Sequence, residues 1–287
     1  MTDPTPKHYP SIAQSFGVTG IVILGMLLLI PVMVALNNLI SKEASMLIYY
    51  LLSIGIPCWI VIQIKKSKTG NSSFSLTIEN KRIIPWIILG TIALLWGVIS
   101  PIASTIPMSD EIKKAFMDFA GKTGLYSFML MVIAAPILEE ILFRGIILDG
   151  LLKKYSPLKS ILVSSFLFGF VHLNPWQFVS GFVIGIFAGW VYYQTRSLLA
   201  AIIIHASANL NGFLARIFMD ADAAMNDSLI ETYGGTGKLI LAISASLVVI
   251  AICIYYLDKA FKKRKIKVVL NEPDADLELG NTGETNA

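Results

Sequence analysis

Side chains with chemistry to offer fall inside apolar stretches of this protein, where an ionisable group costs about 2.5 to 3.5 kcal/mol to insert into a bilayer. The stretch APILEEILFRGIIL carries Glu139, Glu140 and Arg144; FGFVH ends in His172; IIIHASANLNG carries His205 and Asn209. Successive helix residues turn by about 100°, so residues four apart share a face. Glu140 and Arg144 stand in that relation, carboxylate before base, and can neutralise each other. Glu139 then points about 100° away, with nothing in its own turn to pair with. A spare carboxylate in a low-dielectric site suits a general base or acid working near neutral pH. His205 and Asn209 are again four apart, two donors on one rigid face that can hold a developing oxyanion.

Each of these residues also has a purely structural reading. The Glu140/Arg144 pair reads first as a clamp between buried charges. A single membrane histidine bonds a neighbouring carbonyl as readily as it does chemistry, whether His172 or His205. Asn211 reads as incidental. What favours chemistry is the joint presence of both histidines with a glutamate whose obvious partner is taken.

The elements that must position these groups are membrane helices. Of 287 residues, 55% are hydrophobic and only 15% charged, and the mean hydropathy is +0.69, outside the range of soluble domains. A bilayer core of roughly 30 Å needs about 20 apolar residues per helix. That ruler predicts an all-α, polytopic membrane protein of about eight spans, with the site in the helix-bundle core: 16–39, 44–64, 83–106, 125–152, 160–173, 176–193, 197–219 and 238–257. The fifth is short, and Asn174 and Pro175 after His172 predict a tight turn into the sixth. Glu139 lies about 21 Å along the fourth span from its outer start. A membrane domain is thus expected over 16–258, after a short tail, 1–15. Residues 259–287, basic and then acidic, are expected to form a disordered tail.

Orientation follows from lysine and arginine, which are retained on the cytoplasmic side. Lys65, Lys66, Lys68, Lys81, Arg82, Lys153, Lys154, Lys159, Arg196 and the run from Lys259 to Lys267 all fall on one side of an eight-span protein. Asp220, Asp222, Asp227 and Glu231 fall on the other. A multi-pass protein of the cell membrane with both termini cytoplasmic is predicted. The loop holding Lys113, Lys114 and Lys122 with Asp110, Glu111 and Asp118 is balanced in charge and suits an amphipathic interfacial helix. The net charge of +4 is spread over helix ends rather than gathered in a nucleic-acid-binding patch, so no nucleic-acid partner is expected.

Other patterns carry less. Gly181, Gly185 and Gly189 form a double GxxxG, which lets another helix approach closely. The GGTGK stretch ending at Lys238 departs from a phosphate loop, with Thr232 at the first glycine position and Leu239 where Ser or Thr is needed. Cys58 and Cys253 sit far apart in apolar runs and read as packing residues. Neither HExxH nor GxSxG occurs.

Taken together, EExxxR (Glu139, Glu140, Arg144), FxxxH (Phe168, His172) and HxxxN (His205, Asn209), in order and on separate spans, resemble the CPBP family, the CAAX proteases and bacteriocin-processing enzymes also called Abi. The resemblance covers about 125–212. It implies an intramembrane glutamate-dependent endopeptidase without cofactor or obligatory metal, acting on a peptide or membrane-bound precursor. It further implies that Glu139 and His172 activate a water, His205 and Asn209 steady the oxyanion, and Glu140, Arg144 and Phe168 support the site. Hydrogen bonding Glu139 to a neighbouring histidine would limit the cost of burying it, in a chamber enclosed by spans four, five and seven. Three other classes are compatible with the same residues. Two histidines and a carboxylate can bind zinc with an open position. Buried carboxylates and histidines also make proton relays in transporters, although no inverted repeat is visible. A non-catalytic scaffold, such as a bacteriocin-immunity or regulatory protein, can use the same fold to bind a membrane partner.

Overall fold

The structure, a computed structural model, describes residues 8–218 and 228–271. Among the described residues every regular element is helical. The helices are α1 (Ile12–Leu36), α2 (Lys42–Thr69), α3 (Lys81–Ala103), α4 (Asp110–Ala120), α5 (125–152), α6 (Pro157–Phe170), α7 (Pro175–Thr195), α8 (Leu198–Phe218) and α9 (Thr236–Asn271), with one further turn, Leu229–Thr232, before α9. Six of them, α1, α2, α3, α7, α8 and α9, are long and apolar enough to cross a membrane, and α6 is a shorter apolar helix. With α5, each of the eight expected spans falls on a helix.

Local chemistry sets the ends. Ser11 opens α1 with a capping box to Gln14, and Gly70, at φ 74°, closes α2 in the left-handed region that glycine occupies without strain. The balanced loop forms α4, whose first turn carries Asp110 and Glu111 at the positive end of the helix dipole.

Several expectations need correcting. His172 is not inside a span: α6 stops at Phe170 and His172 lies in the turn that follows. Pro175 has no N–H and bars helical backbone at Asn174, which is extended (φ −142°, ψ 145°) and caps α7 by accepting from Gln177 N. The last helix, α9, runs on through the basic stretch to Asn271, with no glycine or proline there to stop it. Tyr9, within the expected N-terminal tail, is buried and its carbonyl covers Gly150. The acidic positions Asp220, Asp222 and Asp227, and the tail 272–287, lie outside the described residues.

Packing explains the glycines. A Cβ on Gly181 would meet Gly169 Cα at 3.0 Å, one on Gly185 would meet Ser165 Cβ at 2.9 Å, and one on Gly189 would meet Ile161 Cγ2 at 3.2 Å. The double GxxxG is therefore the face on which α6 and α7 touch. Cys58 and Cys253 are buried free thiols in the packing. The basic ends of α2, α5 and α7 converge on one carboxylate: Asp149 lies 3.6 Å from Lys65 Nζ, 2.8 Å from Lys153 Nζ and 3.7 Å from Arg196 Nη1. Lys65, 4% exposed, also donates to the Gly145 carbonyl at 2.8 Å.

Candidate active site

Helix α5 carries the two glutamates between two π-helical stretches, Met129–Ala134 and Ile141–Leu148. The first ends for a covalent reason. Ala135 N–H donates to the Leu130 carbonyl, and the next π donor would be residue 136, a proline with no N–H. The Met131 carbonyl is thereby left for another partner, and Asn209 Nδ2 of α8 donates to it at 2.7 Å.

Glu140 is fully buried. Its Oε1 accepts from Arg144 Nη1 at 2.7 Å and lies 3.0 Å from His205 Nδ1. Arg144 Nη2 reaches the Gly185 carbonyl at 3.2 Å, and its guanidinium sits 4.3 Å over the face of Phe168. The expected clamp thus exists and extends to α7. Phe168 sets its ring edge-on to His172 and His205, with centroids 5.5 and 5.3 Å apart. Its carbonyl lies 2.9 Å from His172 Nδ1. A carbonyl only accepts, so Nδ1 carries the hydrogen and the neutral ring keeps Nε2 as its basic atom. For His205 the partner of Nδ1 is a carboxylate oxygen, so that nitrogen again carries the hydrogen; Nε2 faces Glu139 Oε2 at 3.9 Å.

Glu139, Tyr50, His172, His205 and Asn209 all line one chamber of about 350 Å³. The predicted set is brought together there, but Glu139's hydrogen bond comes from neither histidine. Tyr50 of α2 donates its hydroxyl to Glu139 Oε1 at 2.5 Å. Oε2 is buried and takes no protein hydrogen bond, so one carboxylate oxygen is held while the other is left without a protein donor. Among the described residues no three His, Cys, Asp or Glu side chains are grouped closely enough to hold a metal ion.

Residues 121–211 match the model of one protein family, described as type II CAAX prenyl endopeptidase Rce1-like. That segment is similar to this family. No curated protein and no solved structure matches the chain. The Rce1-like segment spans α5 to α8 and includes every residue of the EExxxR, FxxxH and HxxxN motifs. Tyr50 and Arg216, which also line the chamber, fall outside the segment. Neither is singled out by motif spacing, yet each leaves a signal: a tyrosine hydroxyl in an apolar span needs a partner, and an arginine within a span needs a purpose.

Proposed function

We propose that the chamber hydrolyses peptide bonds, cleaving a peptide or membrane-bound precursor as a glutamate-dependent, metal-independent intramembrane endopeptidase of the CAAX type. The observation that carries this reading is the setting of Glu139, which lines the chamber with His172, His205 and Asn209 while its Oε1 accepts from Tyr50 and its Oε2, 3.9 Å from His205 Nε2, takes no protein hydrogen bond. A water bonded to the Glu139 carboxylate attacks the scissile carbonyl carbon and gives one proton to it. The π electrons of the carbonyl move onto its oxygen, and the tetrahedral intermediate collapses as the proton passes to the leaving nitrogen. His172 Nε2, basic because Nδ1 is tied to Phe168, is the second group able to take a proton from that water.

The oxyanion needs donors. Asn209 uses one amide hydrogen on the Met131 carbonyl and has a second. His205 can donate from Nε2 only as a cation, and the Glu140 carboxylate on its other nitrogen is placed to balance that charge. Arg144 then holds Glu140 in place, so the EExxxR clamp supports the chemistry without touching substrate. The Rce1-like match supports the peptidase class. On the topology read from lysine and arginine, the basic cluster around Asp149 faces the cytoplasm, with both termini on that side.

The test is cleavage by the purified protein in lipid bilayers, in water enriched in oxygen-18 and with a strong chelator. One heavy oxygen in the new carboxyl terminus and full activity with chelator are expected. A chelator-sensitive reaction restored by zinc would replace this reading with a zinc hydrolase.

A further inference from the structure

A second polar cavity, of about 490 Å³, lies at the basic ends of α2, α5 and α7 and shares no lining residue with the Glu139 chamber. Lys65, Asp149, Lys153, Arg196 and Ser75 all line it. Asp149 draws the three cations together but matches the charge of only one. Two positive charges are therefore left over in a space large enough for a ligand. Lys153 is 45% exposed; Arg196 is 46% exposed and stands 3.7 Å from Asp149, too far for a hydrogen bond. Ser75 Oγ accepts from Thr77 N–H at 3.4 Å and so keeps its own hydrogen to donate. The non-helical segment that carries Ser75 is pinned in place. Phe74 fills the space over Gly145, where a Cβ would meet its ring at 2.8 Å, and the Ser75 carbonyl accepts from Leu198 N–H at 2.8 Å.

Membrane orientation accounts for cations at helix ends, but not for two features of this cluster. Lys65 is 4% exposed, with its ammonium drawn in to the Gly145 carbonyl, against the tendency of lysine to reach out to water. Arg196 closes α7 at φ 55°, a left-handed position that glycine takes without strain and arginine does not. Glycine would close the helix at less cost, so what arginine adds there is a guanidinium at the cavity.

We propose that this cavity binds a phosphate group, held by Arg196 and Lys153, with Ser75 as a further hydrogen-bond donor and Lys65 as a fixed positive charge. Two unmatched charges suit a phosphate, whose several oxygens accept from a forked guanidinium and an ammonium together. The cavity sits where the spanning helices α2 and α7 end and α8 begins, and basic pockets between membrane helices take anionic lipid headgroups at that level. A free phosphate or a soluble phosphate ester offers the same chemistry. The inference does not rest on the peptidase reading.

The experiment follows the melting temperature of the full-length protein in a neutral detergent at constant ionic strength. It is titrated with inorganic phosphate, with short-chain phosphatidic acid, or with short-chain phosphatidylcholine, whose own cation neutralises its phosphate. A ligand that binds only the folded protein raises the melting temperature as its concentration passes the dissociation constant. A saturable rise with phosphatidic acid and none with phosphatidylcholine is expected. Arg196→Gly suits the left-handed backbone and should not lower the melting temperature without ligand. It should nevertheless weaken binding about 10- to 100-fold, as the loss of a charge-assisted hydrogen bond does, and Lys153→Gln should act likewise. Lys154→Gln, next in sequence but outside the cavity, should leave binding unchanged. If inorganic phosphate gives the same Arg196-dependent rise, the phosphate group alone suffices and a soluble source serves; if only phosphatidic acid does, the ligand is a lipid headgroup. No rise with either probe, or an equal rise with phosphatidylcholine, overturns the site. So does a rise that survives Arg196→Gly, or one that Lys154→Gln reduces as far, which would reduce the cluster to diffuse surface charge.

Discussion

The Tyr50 hydroxyl donates to Glu139 Oε1 at 2.5 Å across 89 positions of sequence, and this bond makes the two oxygens of one carboxylate unequal. Glu139 sits near the middle of a membrane helix, where an unpaired carboxylate is costly. Tyr50 offsets part of that cost while leaving Oε2 without a protein donor. Tyr50→Phe keeps the ring and its packing and removes only the donor. A hydrogen bond to a charged group contributes about 1.5 to 3 kcal/mol, so kcat should fall about 10- to 100-fold with KM nearly constant. Unchanged kcat would mean that the bond only serves the fold.

Glu140 has a different task, and its variants should fail differently. Glu140→Gln leaves the buried Arg144 charge uncompensated and should cost about 3 kcal/mol of stability, read as a lowered melting temperature in detergent. The double variant Glu140→Leu with Arg144→Met should recover most of that stability, because replacing a buried pair by apolar side chains is often close to neutral. Activity should stay low in the double variant, since His205 has lost its carboxylate. A double variant with wild-type turnover would remove the clamp from the account.

Pro136 should matter through what it lacks. Pro136→Ala supplies an N–H to the preceding turn and competes with Asn209 for the carbonyls of the Met131 turn. The helix should be no less stable, while kcat falls about 10-fold because one oxyanion donor loses its fixed orientation. Stability and turnover falling together would instead point to a general disturbance of α5.

Gly185 couples packing to the site. Adding a Cβ there brings it to 3.1 Å from the Ser165 backbone, so Gly185→Ala should push α6 from α7 and cost about 1 to 3 kcal/mol. Because the Gly185 carbonyl accepts from Arg144, turnover should fall as well. The measurement is a melting curve with a cleavage assay on the same preparation.

The motif residues are legible because helical periodicity puts residues four apart on one face, which is how Glu140 finds Arg144 and how Asn209 follows His205. The close approach of α6 and α7 is legible in the spacing of Gly181, Gly185 and Gly189. Periodicity does not reach between helices, so it leaves Glu139 without a partner where Tyr50 of another helix supplies one. It also implies uniform α spacing along α5, whereas Pro136 and the π-helical stretches free a carbonyl for Asn209. Apolarity carries the fifth span through His172, but capping by Asn174 and Pro175 moves that residue into a turn, where its ring is fixed by Phe168. Arg216 lies within the seventh expected span, which marks it as unusual in sequence, but only the fold shows that it lines the chamber.

The most direct test of the central claim compares wild type, Glu139→Gln and Glu140→Gln for cleavage of a membrane-peptide library in lipid, each preparation checked for its melting curve. Peptide hydrolysis by wild type, its loss in a normally folded Glu139→Gln protein, and residual hydrolysis in a destabilised Glu140→Gln protein are the predicted results. Undiminished cleavage by Glu139→Gln would contradict the account, and a wild type that cleaves nothing would favour a non-catalytic scaffold built on the same fold.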